Sequence, residues 1–320
     1  MKKKPAPFSG MLLVNKPKGP TSHDLVGKLR WCLNTRSVGH GGTLDPMAEG
    51  LMILLIGEAT KLSQWVTSAS KSYTGTLQLG SETDTADAEG DVIATFEKKT
   101  AEKSEILSVF DSLMGIQELV VPKYSAIKQN GEKLYDVARR GDEVNCPSRK
   151  MVFYDTELTN LEGSDVSFSL SCSKGTYVRS WSTEVGSRLD SGAHLTALCR
   201  TRINQFYLED AEGVSFFESL KELDRETLLE KIENSSCFIP LSQALPEAEI
   251  VRLNPKEEQL FSNGQIPNDV KVRVSPLLRD AYRNERDYLV RFLRPDGDLA
   301  GLVGISQQGQ LKIERVFNRL

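Results

Sequence analysis

The sequence predicts an α+β protein in two parts, and three features lead to that reading. Helical and half-buried strand patterns are interleaved over residues 1–242. Short apolar runs separated by Asn263-Gly264, Pro295-Asp296-Gly297 and Gly304 follow, and predict a small all-β module over 243–320. The chain of 320 residues also exceeds the ~250–300 at which one core usually stops growing.

Each element has its own signal. After a basic arm, the apolar run GMLLV leads into a Lys-Pro-Lys-Gly-Pro turn, where Thr21 or Ser22 can cap a helix. Leu25, Val26, Leu29 and Leu33 recur at helical spacing, which predicts a helix over 22–33. LMILLIG, from Leu51, reads as a buried strand. Segments 73–80 and 165–172 alternate as half-buried strands do, with Val166, Phe168, Leu170 and Cys172 on one face. Further helices are expected at 60–68, 103–114, 132–140 and 176–189. In the last, Val178, Trp181, Val185 and Leu189 share a stripe that leaves Arg179 outside it. Residues 121–150 are basic, glycine-punctuated and bounded by prolines, the marks of an insertion, and an acidic helical stretch over 205–235 leads to Pro240.

Composition narrows the function classes. With 39% hydrophobic and 26% charged residues the chain is of ordinary globular type. Its longest apolar stretch, Leu51 to Ile56, is far short of the ~20 residues of a membrane helix, and MKKKPAPFSG has charge without the apolar run of a signal peptide, so a cytoplasmic protein is expected. Five scattered cysteines with no C-x-x-C pair and three histidines without ligand spacing argue against disulfides and a transition-metal centre.

The net charge of −4 conceals local imbalance. Residues 205–240 carry nine acidic and three basic side chains, whereas residues 1–50 hold eight basic and three acidic, and 121–150 seven basic and four acidic. One face can therefore present the positive footprint that phosphates require, although a merely solvated surface accounts for either basic run by itself.

The most unusual segment runs from Val38 to Gly50, with four glycines in thirteen residues. Such a stretch suits close backbone approach, and Pro46 biases Asp45 toward an extended conformation. Beside a wholly apolar strand, Asp45 is a candidate reactive carboxylate. An Asp-Pro turn with its side chain in water is the ordinary alternative.

GHGGTLDPMAEG followed by LLIGEATK closely resembles the catalytic segment of the TruB family of tRNA pseudouridine synthases, whose essential aspartate falls on Asp45. LLVNKPKGPTS, KSYTGTLQLGSETDTADAEG, YSAIKQNGEKLYDVARRG, CSKGTYVRSWSTEVG and GAHLTALCRTRI follow the family's order, so the resemblance covers residues 10–205 and more loosely the rest. It implies a mixed, mainly antiparallel central sheet of the pseudouridine synthase fold flanked by helices and loops. A PUA-like module would then complete the chain.

The resemblance also implies roles. Isomerisation of the T-loop uridine, conventionally number 55, requires the base to be flipped out. His40 resembles the wedge histidine that fills the vacated space, Tyr73 the tyrosine that stacks on the base, and Arg179 the arginine whose guanidinium fork keeps the catalytic carboxylate ionised. Tyr177 and Leu198 match residues lining the base pocket. Lys16 matches a motif lysine of open role; Lys16 and Lys18, beside prolines in an exposed turn, suit phosphate contacts, and a solvated turn explains them equally well. Lys123, Lys128, Lys133, Arg139, Arg140 and Arg149 resemble a thumb that closes over the T-loop. Without the resemblance His40 reads as a surface residue, Arg179 as a solvated helix arginine, and Tyr177 and Leu198 as core. Asp84 and Asp87 read as turn-satisfying network residues rather than chemistry.

The activity so implied uses no cofactor and no metal. The expected partner is the T-arm stem-loop of tRNA, bound by a monomer with no membrane association and no obligatory protein partner. Two alternatives stand beside it: a dyskerin-like synthase that depends on guide RNA, and a non-catalytic RNA-binding module or tRNA-folding chaperone. The thumb-like insertion favours autonomous action, and joint retention of Asp45, Tyr73 and Arg179 favours catalysis.

Overall fold

The computed structural model describes residues 5–319 except 126, 130, 141 and 143; the side chains of residues 128, 133 and 136 also lie outside the described part. Eight principal strands form the main sheet: β1 (Gly10–Lys16), β2 (Val38–His40), β3 (Glu49–Ile56), β4 (Lys71–Leu79), β5 (Gly115–Val120), β6 (Ser148–Glu162), β7 (Asp165–Cys172) and β8 (Ala193–Ile203). They run in the order β1-β3-β8-β4-β7-β6-β5, with β2 paired to β3. Every pairing among these strands is antiparallel except β3 with β8, where Glu49 and Gly50 lie beside Cys199 and Arg200. The expected mixed, mainly antiparallel sheet is thus observed.

The wholly apolar β3 is buried from Gly50 to Ile56 because both of its faces are covered, as its lack of alternation predicts. On one side α1 (Ser22–Cys32) packs Leu25, Val26 and Leu29 into the core. Thr21 caps it, and Asp24 returns a hydrogen bond to the Thr21 backbone in a capping box. Farther along the sheet, α2 (Lys103–Ser112) and α3 (Val178–Arg188) cover the inward residues of β4, β6 and β7. Trp181 is their anchor. Its ring is fully buried and lies 5.0, 6.4 and 4.7 Å from those of Phe110, Phe153 and Phe168. This packing fixes the start of α3, where Arg179 sits.

Several expectations are refined. The helix expected over 60–68 is a 3-10 turn (Gly57–Leu62) continued by a short helix (Ser63–Ser68), and that over 132–140 contracts to Leu134–Arg139. The acidic stretch is only partly helical, at Ser215–Glu218 and Arg225–Glu233. Its remainder supplies short strands, with Glu212–Gly213 and Phe238–Pro240 on β1 and Phe206–Tyr207 on β8. The basic insertion leaves the sheet after Val120 and returns at Ser148, which are direct partners across β5 and β6.

A second sheet, β9 (Glu249–Arg252), β10 (Tyr288–Leu293), β11 (Leu299–Ile305) and β12 (Leu311–Val316), forms the C-terminal part in that spatial order. It is not all-β. Three helices, Pro255–Ser262, Asn268–Arg273 and Ser275–Arg283, connect β9 to β10. The first carries a strong start signal, Asn254 before Pro255 with Glu257 completing a capping box, which the emphasis on turn dipeptides overlooked. Leu293, Leu299, Leu302 and Phe317 join the core beneath β1 and β3. No helix among the described residues is long and apolar enough to cross a membrane.

Gly50 marks where β3 meets β8. Its φ is +99°, and a Cβ there would come within 2.4 Å of the Arg200 carbonyl oxygen and 2.8 Å of the Arg200 nitrogen. Gly50→Ala is expected to destabilise the fold by roughly 1–3 kcal/mol or more, through backbone strain and overpacking. Gly19→Ala, with φ +109° but open space around it, should cost less. Thermal melts of the two variants compare them directly, and equal melting temperatures would contradict this account of the junction.

Candidate active site

Asp45 follows a buried Leu44 and opens a turn in which its carbonyl accepts the Ala48 N–H at 3.1 Å, with Pro46 in the second position. The turn is clamped throughout. Ser22, the first residue of α1, exchanges hydrogen bonds with the Leu44 backbone through its hydroxyl, at 2.8 and 3.0 Å. Gly19 donates to the Pro46 carbonyl at 2.8 Å. Asp45 is therefore held at its backbone by α1 and by the turn after β1.

Its side chain meets Arg179. The Arg179 Nε donates to Asp45 Oδ2 at 2.9 Å, and the guanidinium is 5% exposed whereas the aspartate is 36% exposed. The cation is thus sequestered while one edge of the carboxylate stays reachable. Arg179 Nη1 donates to the Thr85 carbonyl and Nη2 to the Tyr124 carbonyl, both at 3.0 Å, and Asp87 Oδ2 lies 3.7 Å from Nη1. The contact to Asp45 is accordingly a single Nε bond and not a fork, because the other nitrogens are engaged elsewhere. Burial pushes the Asp45 carboxyl above the ordinary aspartate value, and Arg179 pulls it back only in part.

Asp87 is buried and accepts from Thr85 Oγ1 at 2.6 Å and Glu89 N at 3.1 Å, while Asp84 accepts from Asp91 N and from the Tyr124 hydroxyl. Both are network residues, as their Thr/Asp-rich surroundings suggested. The base of the insertion is joined to the catalytic candidates through Tyr124, which bonds Asp84 by its side chain and Arg179 by its backbone.

Tyr73 and Leu198 share the inward face of the sheet: Tyr73 is opposite Arg200, and Leu198 opposite Gly75, across β4 and β8. Burial raises the Tyr73 phenol, which Arg200 pulls down and the Asp45 charge raises further. The Asp45 charge also acts on the half-buried Tyr177, the residue before α3. Leu198 additionally lines a concavity of about 300 Å3 with Glu49, Thr74, Thr76, Ser167 and Phe168. His40 ends β2, and its Nδ1 accepts the Gly42 N–H at 3.3 Å. Burial depresses its pKa, which favours a neutral ring. The glycine beside it is not free for ligand approach, since a Cβ on Gly41 would lie 2.2 Å from Val66 Cγ1.

Lys16 departs most from expectation. It is fully buried, not exposed, and its ammonium donates to the carbonyls of Pro17, Pro46 and Ala48 at 3.0, 3.2 and 2.6 Å. The end of β1 lies under the Asp45 turn, so a long cation there braces the turn instead of meeting phosphate. Lys18 is exposed. In the insertion, Lys123 lies 5.8 Å from the Tyr124 ring centre, and the exposed Arg139 stacks on Tyr135 at 4.2 Å. Arg140 is paired with Glu132 at 2.8 Å and Asp142 at 3.1 Å, which offsets its charge locally. The Lys128 side chain lies outside the described residues. Among the described residues, Lys18, Lys123, Arg139 and Arg140 make no hydrogen bond or ion pair with Asp45 or Arg179.

Residues 30–178 match the TruB family pseudouridylate synthase (N terminal domain). A relative from Bdellovibrio bacteriovorus described as tRNA pseudouridine synthase B is 37% identical over 318 residues, spanning 97% of each chain. The chain belongs to the TruB family. A second relative of that description, from Opitutus terrae, is 46% identical over 239 residues, 75% of this chain and 95% of its own. Among solved structures, the Cbf5-Nop10-Gar1 complex contains a chain that aligns with a TM-score of 0.68 at 22% identity, covering 98% of this chain and 89% of its own; that likeness speaks to the fold alone.

Arg200 is the buried residue beside the candidate site that sequence reasoning missed. It is 1% exposed and donates to the carbonyls of Leu51, Thr43 and Gly42. Its inward place could have been read from Leu198, two residues earlier on the same strand, since alternate residues share a face.

The Asp45 carboxyl should titrate above 3.8, the value usual for aspartate. Arg179→Gln should push it higher still, because a positive neighbour that favours the charged form has gone. Carboxyl-carbon NMR of labelled protein checks both; a midpoint at or below the usual value contradicts the shelter described.

Proposed function

We propose that the chain converts the T-loop uridine of transfer RNA, at the position conventionally numbered 55, to pseudouridine, with Asp45 as the catalytic carboxylate. The single observation that carries the reading is the Asp45–Arg179 pair at 2.9 Å, with the guanidinium shielded and the carboxylate still accessible at one edge. The names of the TruB relatives support the choice of tRNA as substrate. T-arm selection rests on the motif resemblance.

The chemistry follows from the arrangement. A uridine stacked in a folded loop is out of reach, so it is extruded at a cost of a few kcal/mol. His40 is the proposed wedge in the space it leaves; a neutral imidazole enters a base stack more readily than a charged one. Tyr73 stacks on the extruded base, a contact worth about 1–3 kcal/mol. Tyr177 and Leu198 flank it. Asp45 acts on the ribose, either as nucleophile at C1′ or by taking the 2′ proton. In either course the C1′–N1 bond breaks with its electron pair on uracil and the base turns; C5 then bonds to C1′ as the Asp45–C1′ ester bond breaks, or as Asp45 returns the proton to C2′, so the carboxylate is regenerated. The C5 proton is lost and N1 gains one, so the product is an isomer and the reaction consumes no co-reactant. Arg179 orients the carboxylate and favours its charged form against the burial that opposes it.

Lys18, Lys123, Lys128, Arg139 and Arg140 are proposed as phosphate contacts, with the insertion closing over the T-arm as a thumb. Arg140 must then exchange Glu132 and Asp142 for phosphate, so its net contribution to binding should be small. The protein is proposed to act alone, in the cytoplasm. The fold likeness to a chain in the Cbf5-Nop10-Gar1 complex makes guide-RNA dependence the reading to test against.

Asp45→Asn should abolish pseudouridine formation on a T-arm transcript while leaving RNA affinity within about tenfold, since only a transition-state interaction is lost. Carbodiimide mapping of transcripts treated with purified protein supplies the readout. An active Asn variant would refute the role of Asp45, and activity that appeared only with added guide RNA would refute autonomous action.

A further inference from the structure

Three side chains grip the turn that presents Asp45, and the third, Arg200, lies in the GAHLTALCRTRI segment without a role so far. Lys16 holds its far side through the carbonyls of Pro46 and Ala48, and Ser22 holds its middle at Leu44. Arg200 holds the near side, with Nη2 on the Gly42 carbonyl at 3.2 Å and Nη1 on the Thr43 carbonyl at 3.3 Å. Its Nε reaches across to the Leu51 carbonyl of β3 at 2.8 Å.

The position is a costly one for a cation. Arg200 is 1% exposed and makes no ion pair among the described residues; main-chain carbonyls take up its hydrogen bonds. An apolar side chain of similar volume would fill the space without the desolvation penalty of a buried charge. What such a side chain could not do is tie three carbonyls from two segments to one another. Only a guanidinium has the rigid, multi-donor geometry for that; a lysine ammonium is a compact charge on a flexible stem.

The same residue lies at the meeting of three strands. It pairs with Gly50 of β3 on one side and with Tyr73 of β4 on the other. Arg200 thus connects the loop before Asp45 to the strand position from which the stacking ring projects.

We propose that Arg200 is a positioning residue for the isomerisation, holding the Asp45 turn and the Tyr73 ring in one frame so that carboxylate and base meet in register. This rests on the synthase reading above. Among the described residues Arg200 makes no hydrogen bond or ion pair with the Asp45 carboxylate, and it acts through the loop backbone, the neighbouring strand and the Tyr73 side chain.

The test uses Arg200→Lys and Arg200→Gln in the full chain, each checked for folding by circular dichroism. Affinity for a T-arm stem-loop and the single-turnover rate of pseudouridine formation at saturating RNA are then measured. A displacement of about 1 Å between reacting groups lowers a rate by ~10²-fold, so a fall of that order is expected, with RNA affinity within about threefold of wild type. The lysine variant should retain more activity than the glutamine variant, because it preserves the charge but not the span. An unchanged rate in a folded variant overturns the proposal. So does a loss confined to RNA affinity, or failure of both variants to fold, which would make Arg200 a residue of the fold alone. Wild-type protein that forms no pseudouridine would instead sink the parent reading.

Discussion

A carboxylate is useful to a reaction on ribose only if it is partly stripped of water yet still able to carry charge, and these two demands oppose each other. In this chain the opposition is set by Asp45 and Arg179, 2.9 Å apart. Burial raises the carboxyl, and the guanidinium lowers it without cancelling the rise. The remaining Arg179 donors are spent on the carbonyls of Thr85 and Tyr124, so the cation cannot swing away to water. These bonds draw together the Asp45 turn, the Thr/Asp-rich loop around Asp87 and the root of the basic insertion. The base of the insertion is mechanically linked to Asp45 through Tyr124 and Arg179.

The same physical device recurs around the site. Lys16, Lys71, Arg179 and Arg200 are all buried cations whose nitrogens end on main-chain carbonyls. Burial drives the Lys71 ammonium down to about 8. A carbonyl lone pair stabilises a cation less than a carboxylate does, but its position is fixed by the backbone, so the bond transmits rigidity. Around these cations lie the carboxylates of Asp45, Asp87, Glu49 and Glu89, so charge is balanced within the region while each cation is fixed by backbone carbonyls.

Much of this could be read from the residues, where one signal decided the matter. β3 announced itself by unbroken hydrophobicity, α1 by its cap and stripe, and α3 by the spacing of Val178, Trp181, Val185 and Leu189. Asp45, Tyr73 and Arg179 were legible through collinear motifs, not through local chemistry, since an Asp-Pro turn or a helix arginine alone suggests solvent. Lys16 and Arg200 were misread or missed for one reason: a basic residue near a turn or strand end suggests exposure, and only tertiary closure turns it inward. The helices between β9 and β10 were hidden by turn dipeptides around them, although Asn254, Pro255 and Glu257 spell a helix start. The Gly41 case is similar, because the space beside this glycine is filled by Val66.

The most direct measurement is a structure of the chain with a T-arm stem-loop bound. The account requires the target uridine to be out of the base stack, its C1′ or C2′ about 3–3.5 Å from an Asp45 carboxylate oxygen and its ring against Tyr73. A uridine that stays stacked in the loop, or lies extruded but remote from Asp45 with Arg179 turned elsewhere, would contradict it.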